Sequence, residues 1–105
     1  LRELRESGDR YAVSVVLREA GVVYASTHQR PRAKEYLLES IALSEQLHDN
    51  SNVGLSSLVL GYCAGDAGEY AQARGYFDTA LRSCRESGNR YGLAHALMNR
   101  AYTFL

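Results

Sequence analysis

Three histidines, two cysteines and one short basic run are the residues of this 105-residue chain whose types could do chemistry. A metal site needs His or Cys ligands at local helical or loop spacings, and His28, His48 and His95 lie far apart in sequence. His28 and His48 fall in linkers, where a solvated histidine is the default reading. Cys63 and Cys84 form neither a CxxC pair nor a disulfide-rich pattern. They could approach across a helix pair, but small core cysteines are commoner than a redox couple. His28, Arg30, Arg32 and Lys34 form the one local basic cluster, read either as a solvated helix start or as an anion site. With no nucleotide loop, nucleophile elbow or paired metal-binding histidines, no enzyme is expected, and no catalytic residue, metal or cofactor is assigned. Recognition is a different matter. Tyr62 and Tyr102 stand 40 residues apart, and His95 and Asn99 precede Tyr102 by one to two helical turns at a spacing that shares one face. Aromatic area with a few polar handles suits an extended peptide or a flat ligand better than a strongly charged one.

These residues are positioned by a repeat. RESGDRYA at 5–12 returns as RESGNRYG at 85–92, and a shift of 80 residues gives eight identities in the eleven positions 1–11. A 40-residue shift supplies the middle copy: Gly21, Ala33 and Tyr36 fall on Gly61, Ala73 and Tyr76, while Leu37 meets Phe77 and Ile41 meets Leu81. Ala33, Leu37, Ser40, Ile41 and Ser44 mark one helical face, and Ala73, Phe77, Ala80, Leu81 and Cys84 mark its copy. The segment Tyr11 to Tyr24 is apolar almost all round, as for a helix packed on two or more sides. Its valines favour a strand, but the copies at 54–64 and 91–105 do not.

Ser-Gly-Asp/Asn reads as helix stop, tight turn and helix start: Gly8 and Gly88 suit a left-handed C-terminal residue, and Asp9 and Asn89 suit N-caps. The middle copy, Leu47 to Gly54, carries His48, Asp49, Asn50, Ser51 and Asn52 instead and predicts a looser link. Pro31 fits the first turn of a helix. The spacing predicts helices over 1–7, 10–26, 31–47, 53–64, 69–86 and 90–105. Twelve basic and twelve acidic side chains cancel, so no field draws nucleic acid or an anionic membrane. Apolar runs such as Val13 to Leu17 are broken by Arg18 and Glu19, so neither a signal peptide nor a membrane span is expected, and cysteine usage points to the cytoplasm. The start at Leu1 rather than Met reads as a fragment or a processed chain.

Ala20-Gly21 with Ala33, Leu37 and Ser40, and Leu60-Gly61 with Ala73, Phe77 and Ala80, resemble the tetratricopeptide repeat (TPR). The glycine-to-alanine spacing is twelve in both copies, and Tyr24 fits the family's tyrosine one turn beyond the glycine, whereas Ala64 departs from it. Leu17, Ser57 and Leu97 replace the usual tryptophan, and no proline closes the second helices. The 40-residue period, with its G-D/N-R linker, is similar to the long-repeat TPR subclass of large bacterial regulators. The resemblance implies an all-α fold, a right-handed α-α superhelix of antiparallel helix pairs. The chain would be a single array fragment over 1–105: residues 1–8 end a preceding second helix, 9–48 and 49–88 are repeats, and 89–105 is the first helix of a third.

On the family pattern the first helices line a concave wall. Its residues would be Val15, Arg18, Glu19 and Val22, then Leu55, Leu58, Val59 and Tyr62, then His95, Met98, Asn99 and Tyr102. Several of the apolar ones could instead pack between helices. The binding surface expected from this set is Arg18, Glu19, Tyr62, His95, Asn99 and Tyr102. Only Arg18 and Asn99 resemble the lysine and asparagine kit that holds acidic chaperone tails, so such a clamp is not expected. The implied function is a scaffold for a protein or peptide segment, including another domain of the same parent regulator. The alternative is a small-ligand or peptide sensor domain controlling a transcription regulator. No direct nucleic acid and no membrane partner is expected. The apolar stripe Leu93, Ala96, Leu97, Met98, Tyr102, Phe104 and Leu105 predicts self-association through an uncapped last helix.

Overall fold

Four residues with left-handed backbone recur every 20 positions: His28 (φ 61°), His48 (57°), Gly68 (79°) and Gly88 (74°). The computed structural model describes residues 9–102. At each of these four residues one helix stops and the next begins. The N–H of the following residue (29, 49, 69 or 89) donates back to the carbonyl of residue 24, 44, 64 or 84 at 2.9 Å. The left-handed residue itself donates to residue 25, 45, 65 or 85 at 3.1–3.2 Å. This is the Schellman pattern, and it satisfies carbonyls that a helix end would otherwise leave bare. Five helices result among the described residues: α1 Arg10–Ser26, α2 Arg30–Gln46, α3 Asn50–Asp66, α4 Tyr70–Ser87 and α5 Arg90–Tyr102.

Capping alternates with the longer, 40-residue period. Asp9, Asp49 and Asn89 accept from Ala12, Asn52 and Gly92 N–H at 3.0, 3.2 and 2.9 Å and so cap α1, α3 and α5. Gln29 and Glu69, ahead of α2 and α4, make no such bond, and α2 has its proline in the first turn instead. The link at 47–54 is as tight as the others, contrary to the looser one expected, and α3 starts at Asn50 rather than near 53. The reason is that His48 takes up the conformation a glycine would supply, and Asp49 caps at once. The expected helix 1–7 and residues 103–105 lie outside the described residues.

Such short turns fold consecutive helices antiparallel. Residue pairs confirm it: Ser14 meets Ser40, and Gly21 faces Leu37 and Ala33. Gly54 faces Cys84 and Ala80, and Gly61 faces Phe77. The helices form a two-layer slab of 46 × 30 × 17 Å, with α1, α3 and α5 in one layer and α2 and α4 in the other. Within the first layer α1 neighbours α3 and α3 neighbours α5, whereas the backbones of α2 and α4 stay apart and splay over α3. Glycine is required where the layers meet most closely. A Cβ at Gly21 would lie 2.6 Å from Leu37 Cγ, and one at Gly61 2.7 Å from Phe77 Cδ1. Leu37 and Phe77 are at most 2% exposed there.

An L-residue in the left-handed region costs roughly 1–2 kcal/mol that glycine avoids. His28→Gly and His48→Gly are therefore each expected to stabilise the fold by about 0.5–1 kcal/mol, and Gly88→Ala to destabilise it by about 1 kcal/mol. Thermal melting of the three variants checks this; histidine variants that melt lower would show that those side chains hold the turns.

Candidate functional site

Three of the six expected recognition residues, Tyr62, His95 and Asn99, come together between α3 and α5, and the turns place them. Tyr62 sits near the end of α3, one ring edge against Phe77 (centroids 5.9 Å apart, planes at 70°), and remains 37% exposed. Its hydroxyl accepts from Asn99 Nδ2 of α5 at 3.0 Å and lies 3.5 Å from His95 Nδ1. Asn99 Nδ2 also donates to the His95 carbonyl at 2.7 Å. The His95 ring packs on Tyr91, one turn earlier, at 4.4 Å. Tyr91 is 70% exposed, and Met98 beside it 62%. Burial pushes the Tyr62 phenol above its ordinary pKa, the Asn99 hydrogen bond partly opposes this, and Tyr91 adds to it. The hydroxyl is thus a neutral donor and acceptor in use between α3 and α5.

Arg18 and Glu19 are not part of this cluster. Arg18 Nη1 donates to Asn52 Oδ1 at 2.7 Å, and Nη2 pairs with Glu19 Oε1 at 3.0 Å. Asn52 and Tyr62 are ten residues apart on α3, which separates the two groups by about 15 Å along the helix. Tyr102 ends α5, and its side chain lies outside the described residues. Leu58, one of the wall residues expected, is 5% exposed in a cluster with Phe77, Ala80 and Ala96.

Sequence reading missed what Arg18 is attached to. Asn52, placed in the supposed linker, is 2% exposed. Its Nδ2 lies 2.6 Å from Ser44 Oγ, 3.0 Å from Ser40 Oγ and 3.4 Å from the Ser14 carbonyl. Ser40 Oγ donates to that carbonyl at 2.7 Å and sits 3.3 Å from Ser56 Oγ. The meeting point of α1, α2 and α3 is therefore polar and almost fully hydrogen-bonded. The 40-residue shift turns Ser40, Ser44, Asn52 and Ser56 into Ala80, Cys84, Gly92 and Ala96, so the next meeting point is apolar. There Cys84 is wedged between helices: a Cβ on either Gly54 or Gly92 would lie 2.5 Å from its sulfur. Cys63 lies nine residues beyond Gly54 on α3, about 14 Å away by helical rise, so the two thiols are no couple. Among the described residues Ser57 Oγ is the one buried side-chain oxygen without a partner.

The basic run divides. Arg32 stacks over Tyr24 at 5.4 Å, and Tyr24 in turn stacks on Tyr36. Arg30 and Lys34 instead line an open crevice of about 380 Å³ where α2 and α4 splay over the end of α3. Leu60, Cys63 and Ala64 form its floor, with Glu69 and Tyr76 on the far side. Burial raises the Cys63 thiol pKa, Asp66 adds to that and Arg30 opposes it, so the group is a protonated thiol rather than a ready nucleophile. Among the described residues no group of three or more His, Cys, Asp or Glu could hold a metal ion, and no helix is long and apolar enough to cross a membrane. Compared with protein-family models, curated proteins and solved structures, the chain matches none.

Asn52→Ala leaves Arg18 and two buried hydroxyls short of partners and is expected to cost about 3 kcal/mol. The triple variant Ser40→Ala/Ser44→Ala/Asn52→Ala should lose less than the sum of its single changes, because donors and acceptors leave together. Denaturant unfolding of the four proteins checks both; strict additivity would mean the groups do not act as a network. Titration gives a second expectation. Burial raises the thiol pKa of Cys84 as well as Cys63. Above the ordinary thiol range the unfolded chain releases these protons before the folded one, so stability is whole below that range and falls as pH rises through it. Melting against pH should show this fall, and Cys84→Ala should flatten it.

Proposed function

We propose that this chain is a peptide-recognition module, a TPR-like array fragment of a larger bacterial regulator, and that Tyr62, His95 and Asn99 with Tyr91 hold an extended, weakly charged segment. The observation that carries the reading is the hydrogen-bonded cluster spanning α3 and α5, which fixes aromatic and polar groups on an otherwise exposed face. Support for the TPR-like arrangement comes from antiparallel pairs in a 40-residue repeat, with glycine beneath Leu37 and again beneath Phe77. Rings held in advance lose little freedom on binding, and Tyr91, Met98 and part of Tyr62 offer apolar area to a ligand. Both hydrogens of the Asn99 amide are engaged within the chain, which leaves its Oδ1 to accept from a backbone N–H. Arg100, next to Asn99 in sequence, faces α4 instead and is paired with Asp78. Nothing here calls for an acidic tail.

A second reading, a sensor of small ligands, is favoured by the crevice. Arg30 and Lys34 are four residues apart on α2, and neither has a carboxylate partner among the described residues. Above an apolar floor they suit a small anion with an apolar body.

Selection of a displayed peptide library on the intact chain tests the first reading. Uncharged segments with apolar anchors are expected to emerge, and Tyr91→Ala and Tyr62→Phe should each weaken the selected peptides tenfold or more while melting shifts by less than about 1 kcal/mol equivalent. Enrichment of acidic tails, or binding indifferent to both variants, would exclude it; a thermal shift with apolar carboxylates that Arg30→Ala abolishes would favour the sensor.

A further inference from the structure

The two copies of the repeat differ where the crevice opens. In the first copy the ring of Tyr24, near the end of α1, lies flat on Tyr36 of α2, with centroids 5.4 Å apart and planes at 8°. Arg32 lies over the same Tyr24 ring at 5.4 Å. The 40-residue shift turns Tyr24, Arg32 and Tyr36 into Ala64, Gln72 and Tyr76. The second tyrosine is kept, and the first is cut back to a methyl group. All three of these copies line the crevice of about 380 Å³, a volume in the range of small-molecule sites. Helices of the chain wall it on both sides, so it does not lie at either end of the array. Charge is sorted across it. Arg30 and Lys34 stand one turn apart on the α2 wall, and Glu69 stands on the α4 wall. Burial and Asp66 raise the Cys63 thiol pKa and the Arg30 charge opposes them, so the guanidinium reaches over the floor.

We propose, resting on the sensor reading of this crevice, that its ligand is an aromatic acid with a single negative charge. The ring stacks on Tyr76, in the place that the Tyr24 ring takes beside Tyr36 in the first repeat, and the carboxylate lies between Arg30 and Lys34. A flat ring is specified rather than any apolar body, because offset stacking on a tyrosine adds to what burial of the same area contributes. The first stack has its cation in Arg32, whose copy Gln72 is neutral, so the second takes its cations from the α2 wall. Arg30 can meet a carboxylate with two parallel N–H groups while Lys34 adds a point charge. Glu69, across the crevice, opposes a second carboxylate on the far end of the ring. Leu60, Cys63 and Ala64 beneath give the ring edge apolar contact.

The probes are naphthoate and its fully saturated analogue, decalin carboxylate, which share charge and carbon skeleton and differ in flatness. The chain has no tryptophan, so naphthalene emission reports binding directly and the saturated acid is read by competition. Naphthoate should bind the intact chain about fivefold more tightly than the saturated acid. Tyr76→Phe should keep that preference, Tyr76→Leu should remove it, and Arg30→Ala should abolish binding of both acids. Ala64→Tyr should supply the missing ring from the chain itself, exclude both acids and melt no lower than the parent; should it fail to fold, the two Tyr76 variants decide. The corresponding naphthalene diacid should bind less tightly than naphthoate, and Glu69→Gln should restore it. Equal binding of the aromatic and saturated acids would overturn the stacked ring while leaving a general anion sensor in place. Binding of neither would overturn both readings. Naphthoate binding that is lost in Tyr91→Ala but kept in Tyr76→Leu would place the ligand on the α3–α5 cluster and overturn the proposal as well.

Discussion

A backbone that turns left-handed at His28, His48, Gly68 and Gly88 is the constraint on which the rest of the structure depends. Each such residue aims two amides back at the helix it leaves and frees the next residue to begin another. The connection is then too short for anything but an antiparallel neighbour. Two successive reversals bring every second helix back to the same orientation, and this sets α1, α3 and α5 side by side. Tyr62 and Asn99, 37 residues apart in sequence, can share a hydrogen bond for that reason alone. The Tyr62–His95–Asn99 cluster is thus a product of turn chemistry far from it.

Packing distinguishes what the turns leave equal. At both glycines under the second helices a large side chain descends where no Cβ could remain, which fixes how closely the layers approach. The two three-helix meeting points solve the same geometric problem with opposite chemistry. Ser40, Ser44, Asn52 and Ser56 join α1, α2 and α3 by directional bonds that hold only in one register. Ala80, Cys84, Gly92 and Ala96 join α3, α4 and α5 by close contact, which is less demanding of register. A satisfied polar network contributes little net stability over an apolar one, but a shifted register would leave its members buried and unpaired. Specificity of alignment is concentrated at the N-terminal end of the slab.

Much of this was legible from residue types. Small residues at Gly21, Gly61, Ala33 and Ala73 carry the 40-residue period because their smallness is a steric requirement, and such requirements survive in sequence. The 20-residue period was hidden because two of its four left-handed residues are histidines, a far weaker signal of positive φ than glycine. For the same reason the turn at His48 read as a loose link. Asn52 was illegible for another cause. Its partners come from residues 14, 40 and 44 on two other helices, and no local pattern records a network of that kind. That Tyr62, His95 and Asn99 share a face followed from repeat register and from the spacing of four. Tyr91 carried the same signal, four residues before His95, and could have been read from it. Arg18 and Glu19 were assigned by helix face, and face alone does not show that a guanidinium reaches inward to a buried amide.

The α5 helix is where these properties meet. Ala96 and Gly92 in the apolar meeting point hold it, together with the Arg100–Asp78 ion pair and Asn89 donating to Ser51 at 3.0 Å. Among the described residues α1 and α3 each have a covering helix as well, α2 and α4 respectively. Helix α5 contributes Tyr91, His95 and Asn99 to the cluster that Tyr62 joins from α3. A ligand that bridges α3 and α5 binds only the docked helix, and so adds its binding free energy to that docking.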